Sequence, residues 1–457
     1  MRILLGCLLL TALLALPVLS LAEAPFVTGF VEGEALKEGT LSGLVWAQDG
    51  ISLSPGETEG IYTSPELAVQ PFEYAILSWN ADTPAGASLE AEARFWHREQ
   101  GAWTPWLSWG TWDRTPKRTS RSSSYELAAI SYDTAWVTGD GVRADKLQLR
   151  VTLRGEGARL RRLAYTLHDT GVAERPVDAA HQGAVTDGQL AYAQGIREST
   201  IASVMCSAVT TCTQLNLAGE EYLPEEMALM QYDAALNGYG NWSFNMALAG
   251  ELGYKAYVTY ADEEELLRLL DQGRAVGMSV RYSDKPDGGQ PYLEGAPMTT
   301  DGHLITVRGY EVDGDGRWYL VSDSAAATDE AAFMRYRGSQ LMDAWTSRIL
   351  YVVERKEANS QAIRRVPVAL KATDKAGVYA LADAPDKAVF LGFTGGARNK
   401  PGGGYLAYQL DGQPGTRFDA KAAGDNLVKF PDDVAVDTAT LYVMTNTGVT
   451  YVARLGK

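Results

Sequence analysis

Strict alternation of apolar and polar side chains runs through the first third of the chain. In SLEAEARFW, Leu89, Ala91 and Phe95 alternate with glutamate and arginine, and KLQLRVTLR repeats the pattern. A period of two is typical of strands in sheets with one buried and one wet face. Residues 25–170 are therefore predicted to form an antiparallel β-sandwich with a jelly-roll-like architecture.

The pattern changes at about residue 193. Residues 171–192 lack clear periodicity and are interpreted as a linker. Helical spacing then appears after Cys206 and in three further stretches, the last two beginning with Ser243 and Asp262 as expected N-caps: PEEMALMQYDAALN, SFNMALAGELG and DEEELLRLLDQG. The segments AVGMSV, HLITVRGYEV and RWYLVSD are typical of strands. Residues 193–356 are thus predicted to form an α+β domain.

The last hundred residues return to strand-like patterns. The segments AVFLGF, YLAYQL and LYVMTNTGVTYVARL are separated by glycine-rich turns such as KPGGGY. Residues 357–457 are predicted to form an all-β C-terminal domain whose role the sequence does not indicate. The fold class expected for the chain is accordingly multidomain, with β-rich domains on both sides of an α+β domain.

The N-terminus has the features of an export signal. Residues 3–21 are apolar after a basic start, and Ala22-Glu23-Ala24 fits the small-x-small cleavage rule. We expect a signal peptide over residues 1–24, cleaved after Ala24 or after Ala22, and a secreted, extracytoplasmic protein without stable membrane insertion after cleavage. An uncleaved anchor is the alternative, since the apolar run approaches spanning length.

Composition excludes several classes of partner and cofactor. The net charge of −16 disfavours nucleic acid and anionic lipid, since both are polyanions. Only 3 Cys and 4 His are present, so sites with several zinc or iron–sulfur ligands are disfavoured, and no metal or cofactor is implied. The tryptophan-rich segment GAWTPWLSWGTW could be an aromatic platform for glycans, but core and hairpin packing is the favoured interpretation. Polymers of the cell envelope are candidate partners of the β domains.

Two cysteines remain after signal cleavage, and both are predicted to be free. Cys206 and Cys212 lie in a stretch with helical spacing that Gly219 ends. Six residues along a helix span about 9 Å of rise, whereas the Cα atoms of a disulfide lie within about 7 Å. Cys206 begins the helix, where unpaired N–H groups and the helix dipole lower a thiol pKa. It is the candidate nucleophile.

A base and an orienting carboxylate follow in the same domain. His303 is the imidazole that shares this domain with Cys206, and its strand is expected to turn at Asp-Gly-Asp-Gly, for which a calcium loop is the weaker interpretation. The return strand ends at Asp323. A symmetric turn would place Asp323 opposite Thr306, whose side chain faces away from that of His303. We therefore predict an odd register, made by an odd loop or a bulge.

Spacing alone leaves two interpretations open for these residues. In the first, Cys206 is a nucleophile, His303 its base and Asp323 the group that orients His303. In the second, the same residues are a small buried side chain, a strand-end histidine and a loop cap. Reaction of Cys206 with iodoacetamide well below pH 8 would distinguish the two.

The stretch from about Ile196 to Val353 resembles a bacterial family of papain-like cysteine peptidases, the peptidase family 39-like group, which is related to bacteriocin-leader-processing peptidases. With the upstream domain included, the resemblance covers roughly residues 60–355. The matching segments are MCSAVT, NWSFNMALAGELGYKAYVT, DGHLITVRGYEVDGDG, VSDSAA and MRYRGSQLMDAW. The upstream segments SWNADTPAGASLEAEARFW and GAWTPWLSWGTW resemble the sandwich that often precedes this domain. The resemblance implies a papain-like fold for residues 193–356 and a catalytic set of Cys206, His303 and Asp323.

The resemblance also implies hydrolysis of peptide bonds in peptides or envelope-associated proteins. Papain-like peptidases usually carry a glutamine about six residues before the nucleophile, and Thr200 occupies that position here. Thr200 and the Cys206 N–H are therefore expected to stabilise the oxyanion, with Thr200 donating from a shorter side chain. An inactive fold that binds the envelope or glycans is the alternative function, and peptide cross-linking by the same residues, as in transglutaminase-like folds, is a third.

Overall fold

A computed structural model describes residues 24–456, except for Gln48, Pro116, Thr186, Asp187, Gln189 and residues 383–399. The expected signal peptide, apart from Ala24, lies outside the described residues, as does the predicted strand AVFLGF. Within the described residues the chain is mostly β-sheet with few helices. No described helix combines the length and the apolar character needed to cross a membrane.

The N-terminal region contains two antiparallel sheets. One has the order β11-β12-β13-β7-β15-β4-β3 with β1 beside β15, and the other has the order β10-β8-β14-β5-β2 with β6 beside β14 and β9 beside β8. The strands are β1 (Phe26–Glu32), β2 (Thr40–Ser42), β3 (Leu44–Ala47), β4 (Gly50–Leu53), β5 (Glu59–Thr63), β6 (Leu67–Phe72), β7 (Tyr74–Asp82), β8 (Ser88–His97), β9 (Ala102–Trp103), β10 (Leu107–Trp112), β11 (Ser123–Ser124), β12 (Ala128–Ser131), β13 (Thr134–Val137), β14 (Ala144–Arg154) and β15 (Arg159–His168).

The described residues of the middle region form five α-helices and one seven-stranded sheet. The sheet has the order β17-β22-β18-β19-β20-β21, and β16 pairs with β19. The helices are α1 (Cys206–Leu217), α2 (Pro224–Gln231), α3 (Trp242–Glu251), α4 (Glu263–Asp271) and α5 (Gly338–Ala344). The strands are β16 (Gly183–Val185), β17 (Tyr254–Tyr260), β18 (Val276–Tyr282), β19 (Thr300–Asp313), β20 (Gly316–Ser322), β21 (Phe333–Arg337) and β22 (Ile349–Lys356).

The described part of the C-terminal region forms a single seven-stranded sheet. Its order is β25-β28-β29-β23-β24-β27-β26, and β23 runs parallel to β29 whereas the other pairs are antiparallel. The strands are β23 (Arg364–Ala372), β24 (Val378–Ala382), β25 (Gly404–Leu410), β26 (Lys421–Gly424), β27 (Leu427–Lys429), β28 (Ala439–Thr445) and β29 (Val449–Leu455).

Strand β7 differs from the expectation of one wet face. Its residues 75–81 are all buried, on both faces of the strand. Helix α3 and strand β17 cover the second face, where Ser243 Oγ donates to the Leu77 carbonyl and Asn80 Nδ2 donates to the Ala256 carbonyl over 2.7 Å. The N-terminal region therefore packs tightly on the middle region, which alternation within one strand could not reveal.

The predicted linker is also part of the fold. Residues 183–185 form β16, which extends the central sheet beside β19. Upstream of β16, Arg175 forms a two-bonded ion pair with Asp262, and the His181 ring contacts Asp271 at 2.5 Å. Ion pairs and sheet pairing therefore hold this segment along α4, although its sequence has no periodic apolar pattern.

Two helix boundaries differ from the predictions. Asn241, not Ser243, is the N-cap of α3, since its side chain accepts from the Phe244 N–H at 3.0 Å. Helix α2 ends at Gln231, six residues earlier than its pattern suggested, because Asp233 pairs with Gly238 in a tight loop. The prediction that Asp262 caps α4 is confirmed by its bond from the Glu265 N–H.

The tryptophan-rich segment divides between core and surface. Trp109 and Trp112 are fully buried, as the packing interpretation predicts. Trp103 and Trp106 are half-buried, and the Arg94 guanidinium lies 4.7 Å and 5.0 Å from their ring centroids. Because a guanidinium already occupies the ring faces, less aromatic surface is open for stacking of a sugar.

Candidate active site

Helix α1 presents Cys206 at its first turn. The helix begins at Cys206, so the Cys206 N–H has no partner within the helix, and none of the described residues accepts from it. The side chain is half-buried, whereas residues 207–215 of the same helix are buried. The prediction of a helix that starts at Cys206 is confirmed, and both Cys206 and Cys212 are free thiols.

Strand β19 brings His303 to the same place. His303 is 2% exposed, and its imidazole lies close enough to the Cys206 thiol to lower the pKa of that thiol. The residues just before it, Asp301 and Gly302, are exposed, so the pair lies near the protein surface. The imidazole can therefore exchange a proton with the thiol.

A bulge sets the register that places Asp323 beside His303. The β19–β20 hairpin turns tightly, with Asp313 opposite Gly316, and its register shifts by one residue between Val307 and Gly309. Thr306 pairs with Ser322 as a result, so continuing the register sets Asp323 opposite residue 305, on the His303 face. The prediction of an odd register is confirmed, and the bulge is its cause.

Asp323 is fully buried and its two oxygens accept four hydrogen bonds. Oδ1 contacts His303 Nε2 at 2.8 Å and accepts from the Ala325 N–H at 3.0 Å. Oδ2 accepts from the hydroxyls of Tyr282 and Tyr336, each at 2.9 Å. These donors hold the carboxylate in one orientation, and the Tyr282 ring also meets the imidazole edge-on.

The pKa shifts of the cluster favour a charged thiolate–imidazolium pair. Burial alone would lower the pKa of His303, but the charge of Asp323 and hydrogen bonds to Asp323 and Cys206 raise it to about 10. Burial alone would raise the pKa of Cys206, yet the hydrogen bond and charge of His303, helped by the N–H groups of Leu304 and Ser207, lower it. The pKa of Asp323 is lowered because the attraction of His303 outweighs burial.

A buried polar network supports the first turn of α1 from below. Asn245 of α3 donates to the Ser207 hydroxyl and to the Tyr351 hydroxyl, the latter over 2.7 Å. All three residues are fully buried. Since Ser207 follows Cys206 directly, this network fixes the backbone on which the thiol is carried.

Thr200 does not join the cluster. Its hydroxyl and N–H both bond to Glu198 Oε1, at 3.1 Å and 3.2 Å, and the residue borders a cavity shared with the C-terminal region. None of the interactions that shift the pKa of Cys206 involves Thr200. The structure thus gives no support to the expectation that this hydroxyl faces the acyl oxygen.

Gln194 is a buried polar residue beside Ser324 that the sequence analysis missed. It is 8% exposed, and its Oε1 accepts from the hydroxyl of Ser324, the residue after Asp323, at 2.8 Å. The Gln194 N–H donates to the Ser324 carbonyl at 2.7 Å. Its amide nitrogen has no partner among the described residues, so it keeps two donors available. A search for glutamine at twelve rather than six positions before Cys206 would have found it.

A buried ion pair holds the segment between Gln194 and Cys206. Arg197 and Glu225 make two contacts of 3.1 Å and are almost completely buried. Tyr192 and Phe418 of the C-terminal region flank the guanidinium, with ring centroids at 5.3 Å and 5.6 Å. Breaking a pair of this kind costs about 3–5 kcal/mol, so the segment is held firmly.

In the described part of the chain, no group of three or more His, Cys, Asp or Glu side chains is placed so that it could hold a metal ion. The acid–base groups at the site are the Cys206 thiol, the nearby imidazole of His303 and the carboxylate of Asp323 that contacts this imidazole. This arrangement suits nucleophilic attack on a carbonyl carbon with proton transfer through the imidazole.

Comparison with known families agrees with the two-part organisation of this region. Residues 23–168 match the family described as Peptidase C39 N-terminal domain, and residues 190–349 match the Peptidase_C39 like family. No curated relative matches the chain. The second match contains Cys206, His303 and Asp323 and suggests a cysteine peptidase with peptide or protein substrates. The two matches together support a C39-like peptidase with an upstream domain, the upstream domain being residues 23–168 and the C39-like region residues 190–349.

Proposed function

We propose that the protein is a secreted cysteine peptidase that hydrolyses amide bonds with Cys206, His303 and Asp323. The observation that carries the proposal is the 2.8 Å contact between His303 Nε2 and a fully buried Asp323, with Cys206 close enough to His303 that each shifts the pKa of the other. The proposed substrates are peptides or proteins associated with the cell envelope. The apolar N-terminus with its small-x-small motif supports export.

In the proposed reaction the Cys206 thiolate attacks the carbonyl carbon of the scissile bond. The imidazolium of His303 gives its proton to the departing amine as the C–N bond breaks, which leaves an acyl-thioester. His303 then takes a proton from water, the hydroxide attacks the thioester, and the carboxylic acid leaves as the thiolate re-forms. Asp323 keeps the imidazole oriented and stabilises its charge throughout.

Two donors are proposed for the oxyanion. The free Cys206 N–H supplies the first, and the side-chain amide of Gln194 supplies the second in place of Thr200. Support for Gln194 comes from its burial beside Ser324 and from the unused amide nitrogen. A preorganised donor of this kind contributes about 10²–10³ in rate.

Alkylation of Cys206 as a function of pH tests the proposal. Iodoacetamide reacts with thiolates, so a lowered pKa predicts rapid labelling of Cys206 well below pH 8, where an ordinary thiol is mostly protonated. Hydrolysis of a peptide library should then fall as the pH approaches 10, where His303 loses its proton. Mass spectrometry of the labelled protein identifies the residue.

Two results would refute this function. Slow labelling of Cys206 at pH 6–7, at the rate of a model thiol, would show that the cluster is inert and favour a binding role for the fold. Rapid labelling with amine incorporation into a glutamine peptide, but without hydrolysis, would favour cross-linking.

A further inference from the structure

The two edges of the C-terminal sheet face each other across a cavity. Strands β25 and β26 are the outermost strands of the sheet, yet both line the same cavity of about 350 Å³. Gly402, Gly404 and Leu406 lie on the β25 side, and residues 420–422 lie on the β26 side. We name this cavity the seam. Its volume lies within the range of about 300–1,000 Å³ that is usual for ligand sites.

The β25 side of the seam has an open backbone edge. Tyr408 exchanges two hydrogen bonds of 2.9 Å with Arg417, so its N–H and C=O point away from β28. Backbone groups two residues apart on a strand point to the same side. The backbone N–H and C=O groups of Leu406 and Gly404 therefore point into the seam, where no described residue forms hydrogen bonds with them. The absence of a side chain at Gly402 and Gly404 leaves room for another backbone.

The seam borders the segment that leads to the proposed nucleophile. Glu198 and Thr200 form part of its lining, and they lie between Gln194 and Cys206 in the chain. Phe418 lines the seam and also flanks Arg197, whose buried ion pair holds that segment. A chain bound in the seam would thus lie next to the segment that carries the proposed oxyanion donors.

We propose that the seam is a second binding site for the peptide substrate, in which an extended segment of substrate pairs with β25 as an added strand. An open sheet edge recognises the backbone of an extended peptide through N–H and C=O groups, with little demand on sequence. The identification of the occupant as substrate rests on the proposed peptidase function. The existence of the cavity, the open strand edge and the nearby segment does not depend on that proposed function.

Direct binding to the full mature chain with Cys206→Ala tests the proposal without catalysis. The probe is a dye-labelled peptide of about ten residues with alternating threonine and valine and a lysine at each end, measured by fluorescence anisotropy. The Ala422→Phe variant fills the seam, and Ala423→Phe is its matched control. Both alanines are exposed on β26, but only Ala422 is among the residues that line the seam.

We expect Ala422→Phe to weaken binding about tenfold and Ala423→Phe to leave it within about twofold. A probe with N-methyl groups at alternate residues, which removes backbone donors, should bind about tenfold more weakly to the parent. Absence of probe binding, or equal effects of the two phenylalanine variants, would overturn the proposal. So would a parent dimer in sedimentation that only Ala422→Phe dissociates, because a second copy would then occupy the seam.

Failure here is distinguishable from failure of the peptidase function. An unreactive Cys206 in the wild-type chain would refute the peptidase function, but it would not affect probe binding measured with the Cys206→Ala variant. A reactive Cys206 with no probe binding removes the seam proposal alone.

Discussion

Helix α1 carries the two free thiols of the described residues, one in its first turn and one in its middle, and their surroundings differ. Cys206 is half-buried at the helix start, and its pKa is lowered by His303 against the effect of burial. Cys212 is fully buried six residues later, and burial raises its pKa well above the usual value. Its Sγ donates to the Tyr222 carbonyl at 3.3 Å and accepts from Asn216 at 3.5 Å.

The difference shows that a position at the start of a helix favours the thiolate form, and that a charged partner lowers the thiol pKa further. A helix start supplies free N–H groups, which Cys206 has and Cys212 lacks. The larger contribution at Cys206 is the imidazolium that β19 supplies from a distant part of the chain. Cys212 has neither free helix N–H groups nor an imidazolium partner, so it behaves as a small apolar side chain with one weak hydrogen-bond donor.

The largest expected effect comes from deleting each thiol in turn. Cys206→Ala should lower peptide hydrolysis by about 10⁴-fold or more, because the nucleophile is lost. Cys212→Ala should leave hydrolysis nearly unchanged and lower the free energy of unfolding by about 1 kcal/mol through a small cavity and a lost hydrogen bond. Turnover and urea unfolding of both variants measure the contrast. Equal loss of activity in the two would mean that α1 carries no special thiol.

The second prediction concerns a change that should reduce the difference in reactivity between Cys206 and Cys212 while both cysteines are kept. Asp323→Asn removes the charge that raises the pKa of His303, so the thiolate of Cys206 should form only at higher pH. Hydrolysis should fall by about 10³–10⁴-fold. Alkylation of Cys206 at pH 6 should slow markedly, while Cys212 stays unlabelled. The outcome that contradicts this is an unchanged pH profile with normal folding.

The third prediction separates thiol activation from oxyanion stabilisation. Gln194→Ala should lower turnover by about 10²–10³-fold while the alkylation rate of Cys206 stays the same, since the amide is proposed to act on the substrate oxygen. Thr200→Val is the control and should change turnover little, because the Thr200 hydroxyl bonds to Glu198.

Thr200→Gln extends that comparison. If Thr200 occupied the oxyanion position, this change would raise turnover about 10²-fold, whereas the structure leads us to expect no increase. A clear increase would return the oxyanion role to position 200.

The smallest expected effect concerns the tyrosines on Asp323. Tyr282→Phe and Tyr336→Phe each remove one hydrogen bond to Oδ2, worth about 1 kcal/mol. We expect turnover to fall about fivefold in Tyr282→Phe, whose ring also contacts His303, and less in Tyr336→Phe. A larger effect at Tyr336 would show that the ring contact does not help to hold the imidazole.

Local patterns predicted much of the site. The helical spacing after Cys206, the stop at Gly219 and the turn at Asp313–Gly316 all depend on residues within a few positions of each other, and the structure has them. The odd register also followed, since only that register puts His303 and Asp323 on one face. Its bulge between Val307 and Gly309 was one of two devices that could produce it.

Features that depend on distant residues could not be predicted in this way. The burial of β7 on both faces requires α3, about 165 residues later. Gln194 lies near the cluster only because it bonds to Ser324, which follows Asp323. The position of Thr200 was assigned by counting from Cys206, but Glu198 and the C-terminal region decide where its hydroxyl points.

The sequence by itself determined several of the strands, most of the helices, the free thiols at Cys206 and Cys212, and the choice of His303 and Asp323 as partners near Cys206. These features follow from periodicity, turn residues and helix geometry, which depend on residues that are close together in the sequence. Tertiary structure decided the surroundings of each group: which thiol meets an imidazole, which carboxylate is buried under two tyrosines, and which amide remains unpaired. A pKa and a hydrogen-bond partner depend on whatever atoms lie within a few ångströms, and packing brings those atoms from anywhere in the chain.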